Sequence, residues 1–383
     1  MRAMRQAVCL GVLFTLVGCG GEVVSQEAEA LGQSQAPLLK AEPGRGVPGA
    51  YLVGVKEGVD ARSVAAVAGV TPTYVYAVVN GFAATLDEGR LSALRAHPGV
   101  EYVEEDQVLE PSTTQSSAPW GLDRIDQRAL PLSGTYNYTS TASSVYAYII
   151  DTGIYTSHTG FGGRAQNVYD AFGGTGQDCN GHGTYVAGIV GSTAYGVAKS
   201  VRLRGVRVFD CNGSGTTSGV VAGVDWVRAN HVAPAVANMS LGGPYSSTLN
   251  TAVNNLANSG VFVSVAAGNS GSDACNYSPA SATAATTVGA MGSNDCPLSS
   301  SNSGSCVDLY APGANITSLW LNGGTNTLSG TSPAAAHVNG VAALYKATYG
   351  NVASSTVDSW LKSNASVVYC GSASYKLLYK STL

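Results

Sequence analysis

The sequence predicts an α/β protein, a parallel sheet with helices on both faces, preceded by a small α+β module. Three observations lead there. From Ala118 onward, apolar runs of strand length alternate with helical stretches, the pattern of a sheet buried on both sides. Residues 49–111 instead read strand, helix, strand, strand, helix, strand. Only 11% of the 383 residues are charged while 45% are hydrophobic, enough apolar material for a large core.

The chain opens with an export signal over residues 1–19. Arg2 and Arg5 give it a positive start, and the apolar run 7–17 is too short to span a bilayer. The run ends Leu16-Val17-Gly18-Cys19, which resembles the lipobox of bacterial lipoproteins and implies lipidation of Cys19. An ordinary secretory signal ending in Cys is the alternative. Lipidation would be the one route to a membrane. Residues 20–48 are small and polar with Pro and Gly, and read as a linker.

Within 49–111, strands are expected at 51–55 and 100–106, with two more over 75–86 around the Asn80-Gly81 turn signal. Helices are expected at 61–68 and 91–96. That order suggests a ferredoxin-like module. Residues 111–117 then read as a cleavable linker at the start of a domain over 112–383. Its expected strands are 145–150, 201–209, 236–241, 261–267 and 287–291. Its expected helices are 183–191, 218–230, 247–259 and a buried Ala-rich helix opening at Ser332.

In parallel sheets, functional residues collect at the carboxyl ends of strands. Asp151 closes the run Y-I-I-D-T-G. His182 stands between glycines in N-G-H-G-T, at a helix start. Asn269 closes A-A-G-N, and Ser332 closes G-T-S ahead of the Ala-rich helix. Each alone has an ordinary reading: a turn or capping Asp, a helix-terminal His, a turn Asn, an N-cap Ser. Together they supply an orienting carboxylate, a general base and a nucleophile. Asn269 and the Ser332 N–H add two donors for a developing oxyanion.

On these motifs, with S-L-G-G at residues 240–243 and N-Y-S-P-A at 276–280, the chain resembles the subtilisin-like serine peptidases. Within them it is most similar to the proteinase K branch and its aqualysin-like enzymes. The resemblance implies an exported endopeptidase working through an acyl-enzyme. Residues 49–111 would be an inhibitory propeptide removed by self-cleavage. Gly213-Ser214-Gly215 and Ser240-Leu241-Gly242 would flank an extended peptide substrate as backbone edges. Ala266-Ala267-Gly268 would line a roomy pocket for large apolar or aromatic side chains.

The resemblance also implies disulfides Cys179–Cys211 and Cys275–Cys306, leaving Cys296 to pair with Cys370. It implies structural calcium held by Asp123, Asp126 and Gln127, and by Asp308 with the carbonyls of Thr283 and Ala285. No organic cofactor is expected. The expected partners are polypeptide substrates and the chain's own propeptide, around a monomer. A net charge of −4 speaks against nucleic acid.

The chain departs from the family pattern just after the serine. Pro333 stands for Met, Ala336 for Pro and Asn339 for Ala, and Tyr185 replaces a His after G-H-G-T. Pro333 pushes Ser332 towards extended dihedrals. These departures motivate an alternative, a catalytically silent, lipid-anchored binding protein on the same fold. A nucleotide-binding α/β protein lacks support, because no G-x-G-x-x-G opens a helix after a strand with a suitably placed acid.

Overall fold

The computed structural model describes residues 35–41, 46–108 and 113–383. The expected export signal, Cys19 and most of the expected linker lie outside them. The chain divides after Val108 into two units.

In the first unit, strands β1 (Leu38–Leu39) and β2 (Gly46–Val55) precede helix α1 (Ala61–Val67). Then come β3 (Tyr74–Tyr76), β4 (Gly81–Thr85), α2 (Glu88–Ala96) and β5 (Val100–Gln107). The sheet order is β1-β5-β2-β4-β3, the expected ferredoxin-like arrangement with one added edge strand. That edge corrects the sequence reading. Leu38 and Leu39 pair with Val103 and Glu104, and β2 begins at Gly46, so part of the stretch read as linker is sheet. Both helices start at a capping carboxylate. Asp60 accepts the Arg62 and Ser63 N–H groups, and Asp87 accepts that of Arg90. Val53, Phe82, Leu94 and Val103 fill the core between helices and sheet.

The second unit opens with β6 (Thr113–Ser116), α3 (Trp120–Asp126) and β7 (Thr135–Tyr138). β6 pairs with β7, so residues 113–116, expected to belong to a cleavable linker, are strand instead. Next come β8 (Tyr146–Asp151), β9 (Ala165–Asp170), α4 (His182–Gly191), β10 (Arg202–Arg207) and α5 (Thr217–Asn230). They are followed by β11 (Ala235–Met239), β12 (Gly243–Pro244), α6 (Ser247–Asn258), β13 (Phe262–Ala266) and β14 (Tyr277–Ser278). The chain continues through β15 (Thr286–Met291), β16 (Leu309–Pro312), β17 (Ile316–Leu319) and β18 (Thr325–Leu328). It ends with α7 (Thr331–Tyr349), α8 (Ser354–Asn364), β19 (Ser366–Cys370) and β20 (Ala373–Leu377).

Nine strands form one sheet in the order β19-β20-β16-β15-β13-β11-β8-β10-β9, parallel except for the β19–β20 pair. The chain builds outward from β8 in one direction, through β9 and β10, then returns to build the other side from β11. The carboxyl ends of β8 and β11 therefore face a crevice where strand order reverses. The Val, Ile and Ala runs are buried on both faces. Helices α4 and α7 cover one face and α5 and α6 the other.

Helix α7 is buried from Thr331 to Lys346 apart from Ser332, which is half-buried at its mouth. Small residues permit this. A Cβ at Gly340 would sit 2.5 Å from the Val197 side chain, so only glycine lets that neighbour approach.

Candidate active site

Asp151 is the last residue of β8 and has no exposed surface. His182 is the first residue of α4. Its Nδ1 lies 2.8 and 2.9 Å from the two Asp151 oxygens. The His182 side chain keeps 29% of its surface open to solvent, so the ring faces both a buried carboxylate and the crevice. Burial alone would lower its pKa. The charge and hydrogen bond of Asp151 outweigh burial, with help from the Asp178 charge, and the imidazole titrates above its ordinary value.

Asp178 is a functional residue that sequence reasoning missed. It is buried and accepts the Thr152 hydroxyl, the N–H groups of Asn180, Gly181 and Thr184, and the Thr184 hydroxyl. It thereby ties the residue after Asp151 to the first turn carrying His182. The signal is present in D-C-N-G-H-G, an acid four residues before the His. Gly181 adopts φ +109° and has the Trp320 ring 2.4 Å from where a Cβ would stand, so the His182 turn requires glycine.

Ser332 is the second residue of α7. Its hydroxyl donates to the Ser240 carbonyl at 3.3 Å, and the Ser240 hydroxyl donates to the Ser332 carbonyl at 2.8 Å. No hydrogen bond joins Ser332 Oγ to His182 among the described residues. Contacts of this kind are often long before substrate binds. Pro333 falls in the first helical turn, where an N–H has no intrahelical partner in any case.

The Asn269 carboxamide accepts the Thr331 N–H at 2.9 Å and the Thr331 hydroxyl at 3.1 Å through Oδ1. Nδ2 is left as the donor towards solvent and substrate. Gly330, at φ +145°, allows this approach, since a Cβ there would lie 3.0 Å from Asn269 Oδ1. Thr331, also missed from the sequence, accepts the Gly268 N–H at 3.1 Å and so joins two predicted site segments.

Ser240, Leu241, Gly242, Ala266, Ala267, Gly268, Asn269 and Ser332 line one cavity of about 240 Å³. Pro244, Tyr277 and Ala280 also line it. Gly213, Ser214 and Gly215 stand apart on an exposed turn held by the Asp210 carboxylate, which accepts the Asn212 and Ser214 N–H groups. The Cys179–Cys211 disulfide fixes that turn to the segment before His182. The other two bridges join Cys275 to Cys306 and Cys296 to Cys370. Tyr185, in place of the expected His, packs in the core and donates its hydroxyl to the Ile316 carbonyl at 2.7 Å.

The residues expected to hold calcium are engaged elsewhere. Asp123 accepts Ser133 and Gly134 N–H groups and the Ser133 hydroxyl. Asp126 accepts both Asn137 nitrogens and faces Lys380 Nζ at 3.1 Å, while Gln127 accepts the Ser133 N–H and donates to the Pro131 carbonyl. Asp308 accepts the Thr287 N–H and pairs with Lys362 Nζ at 3.2 Å. Near it, the Thr283 hydroxyl takes an Asn254 N–H and Ala285 is buried. N–H donors and ammonium groups occupy the side-chain oxygens of Asp123, Asp126, Gln127 and Asp308, so these side chains are not arranged as an oxygen cage for a hard cation. No cluster of three or more acidic, His or Cys side chains suited to a metal occurs among the described residues.

The chain matches the model of the subtilase family over residues 143–378 and that of the peptidase inhibitor I9 over residues 51–112. It is 49% identical to an extracellular serine proteinase of Thermus sp. (strain Rt41A), covering 88% of this chain and 90% of that protein. It is 42% identical to proteinase R of Parengyodontium album, covering 94% of each. Its fold superposes on the crystal structure of a cold adapted subtilisin-like serine proteinase with a TM-score of 0.68 at 51% identity, covering 70% of this chain and 99% of that one. The chain belongs to the subtilase family and is a subtilisin-type serine proteinase with an I9 propeptide ahead of its catalytic domain.

Proposed function

We propose that Asp151, His182 and Ser332 are the working triad of an exported endopeptidase that processes its own precursor. The observation that carries this reading is the fork between Asp151 and His182 Nδ1, which leaves Nε2 as the ring nitrogen for proton transfer. In the proposed mechanism His182 takes the Ser332 proton as the hydroxyl attacks the scissile carbonyl. The Asp151 charge holds the resulting imidazolium. Asn269 Nδ2 and the Ser332 N–H receive the oxyanion. His182 then protonates the leaving amine, and water completes hydrolysis of the acyl-enzyme.

The small apolar residues Ala266, Ala267, Gly268 and Ala280 in the cavity beside Ser332 support a preference for large apolar or aromatic side chains. Leu241-Gly242 and the Gly213–Gly215 turn are the proposed edges for pairing with an extended substrate. Residues 49–111 are the proposed intramolecular inhibitor, and the relatives' extracellular naming supports export. The test is expression of wild type and Ser332→Ala, followed by casein digestion and N-terminal sequencing. Wild type should shed the propeptide and digest casein. A Ser332→Ala protein that still processes itself would defeat the reading.

A further inference from the structure

The Ser332 carbonyl is the end of a buried chain of side chains. Ser240 Oγ donates to it at 2.8 Å, and Asn238 Nδ2 donates to Ser240 Oγ at 2.9 Å. Ser264 Oγ donates to Asn238 Oδ1 at 3.2 Å. Asn339 Nδ2 donates to Ser264 Oγ at 3.0 Å and to the Ala237 carbonyl at 2.7 Å. Asn238 and Ser264 are also direct neighbours across β11 and β13.

The direction of this chain is fixed at both ends. A carbonyl only accepts, so the Ser240 proton must point at Ser332. Ser240 Oγ then has only lone pairs for Asn238, which must present its amide hydrogens. The Asn238 oxygen therefore faces Ser264, whose proton points at it. Ser264 in turn accepts from Asn339. The Ala237 carbonyl independently demands the same orientation of the Asn339 amide. Asn238, Ser264 and Asn339 have no exposed surface, and bonds aligned head to tail in such an interior reinforce one another.

Asn339 and Ser332 lie seven residues apart, two turns along α7 and on the same face. The Asn339 carboxamide keeps a buried Oδ1 with no hydrogen-bond partner, an unfavourable feature in a core. Its Nδ2 is nevertheless the root of the whole chain. Pro333 gives this restraint a purpose. It biases Ser332 towards extended dihedrals, against the helical place that Ser332 holds as second residue of α7. A bond to the Ser332 carbonyl from outside the helix holds that turn.

We propose that Asn339 is a positioning residue for Ser332, acting through Ser264, Asn238 and Ser240 to hold the first turn of α7 and so the stance of the Ser332 hydroxyl. The proposal rests on Ser332 being the nucleophile. The test expresses the full chain and measures the rate of fluorophosphonate acylation of the self-processed enzyme, for wild type, Asn339→Ala, Ser264→Cys and the double variant. Ser264→Cys keeps the core filled while weakening the chain, and stands in if Asn339→Ala does not fold.

Each single variant should acylate roughly five- to tenfold more slowly, the worth of about one net hydrogen bond. KM for a peptide substrate and the pH midpoint of acylation should stay as in wild type, because the chain ends on Ser332 and not on His182. The double variant should be no slower than the slower single one, as for residues acting in one network. A wild type that is never labelled would remove the nucleophile reading itself. A labelled wild type with variants acylating at its rate, or with independent losses in the double variant, would overturn the role of Asn339 even if the variants melt earlier.

Discussion

His182 Nδ1 is held between both oxygens of Asp151, at 2.8 and 2.9 Å, at the point where β8 ends and α4 begins. One ring nitrogen is thereby committed to a buried charge. The protonated ring is stabilised, and the pKa lies above its ordinary value despite burial.

The proposed mechanism requires neutral His182, so the acid limb of kcat/KM should have its midpoint above the usual imidazole value of about 6.5. In Asp151→Asn, burial remains and the countering charge is lost. The midpoint should move to lower pH while kcat falls about 10⁴-fold. A pH–rate profile of both proteins checks this, and an unmoved midpoint would count against the pairing.

Removal of the Asn269 donor should act on the transition state. Asn269→Ala should lower kcat about 10²- to 10³-fold with little change in KM. Because Asn269 Oδ1 also accepts from Thr331, the same variant should lose slight thermal stability. A loss confined to KM would place Asn269 in substrate binding instead.

The fold class, the sheet and the meeting of Asp151 with His182 were legible because each rests on a local pattern. The Val/Ile/Ala runs ending at Asp151 and Asn269 can hardly pack other than as interior strands. The G-H-G and G-T-S turns mark helix starts by the need for glycine beside Trp320 and Asn269. Strand β1 was missed because two leucines in a polar stretch carry no periodicity, and their pairing with β5 is a tertiary choice. The Asn339 chain was missed for the same reason. Its partners come from segments up to about a hundred residues away, and no spacing rule reports them. The calcium expectation named Asp126 and Asp308, but it could not foresee Lys380 reaching the first from the far end of the chain or Lys362 reaching the second from α8.

Lys362 bridges Asp358 at 2.6 Å and Asp308 at 3.2 Å, and Asp358 also accepts the Thr286 hydroxyl. Lys362→Met should leave the two carboxylates uncompensated and cost about 1 kcal/mol, since the pair is partly exposed. Added calcium should then raise the melting temperature of the variant more than that of wild type. Equal gains would mean that the ammonium does not stand in for a cation.

His337 is buried, with Nδ1 against the Pro333 carbonyl at 2.8 Å. Burial depresses its pKa to about 4. The unfolded chain binds this proton from about pH 6.5 downward and the fold does not, so stability should fall as pH drops from 6.5 to 4. The loss from this group is about 3 kcal/mol by linkage. In His337→Gln the pH dependence of unfolding should flatten over that window. An unchanged slope in urea titrations would refute the assignment.

The Cys296–Cys370 bridge closes a loop of 74 residues and ties the edge hairpin β19–β20 back to the domain. Its removal by Cys296→Ala/Cys370→Ala should cost about 4 kcal/mol. Denaturant unfolding measures this, and a change below 1 kcal/mol would show that the hairpin is held by packing alone.

The central claim is that Ser332 is made nucleophilic by His182. Its most direct measurement is peptide mapping after fluorophosphonate treatment of the self-processed enzyme, alongside a His182→Ala protein freed of its propeptide by an added protease. The label should appear on Ser332 in wild type and be lost with His182. Label on another residue, or undiminished label in the His182 variant, would contradict the account.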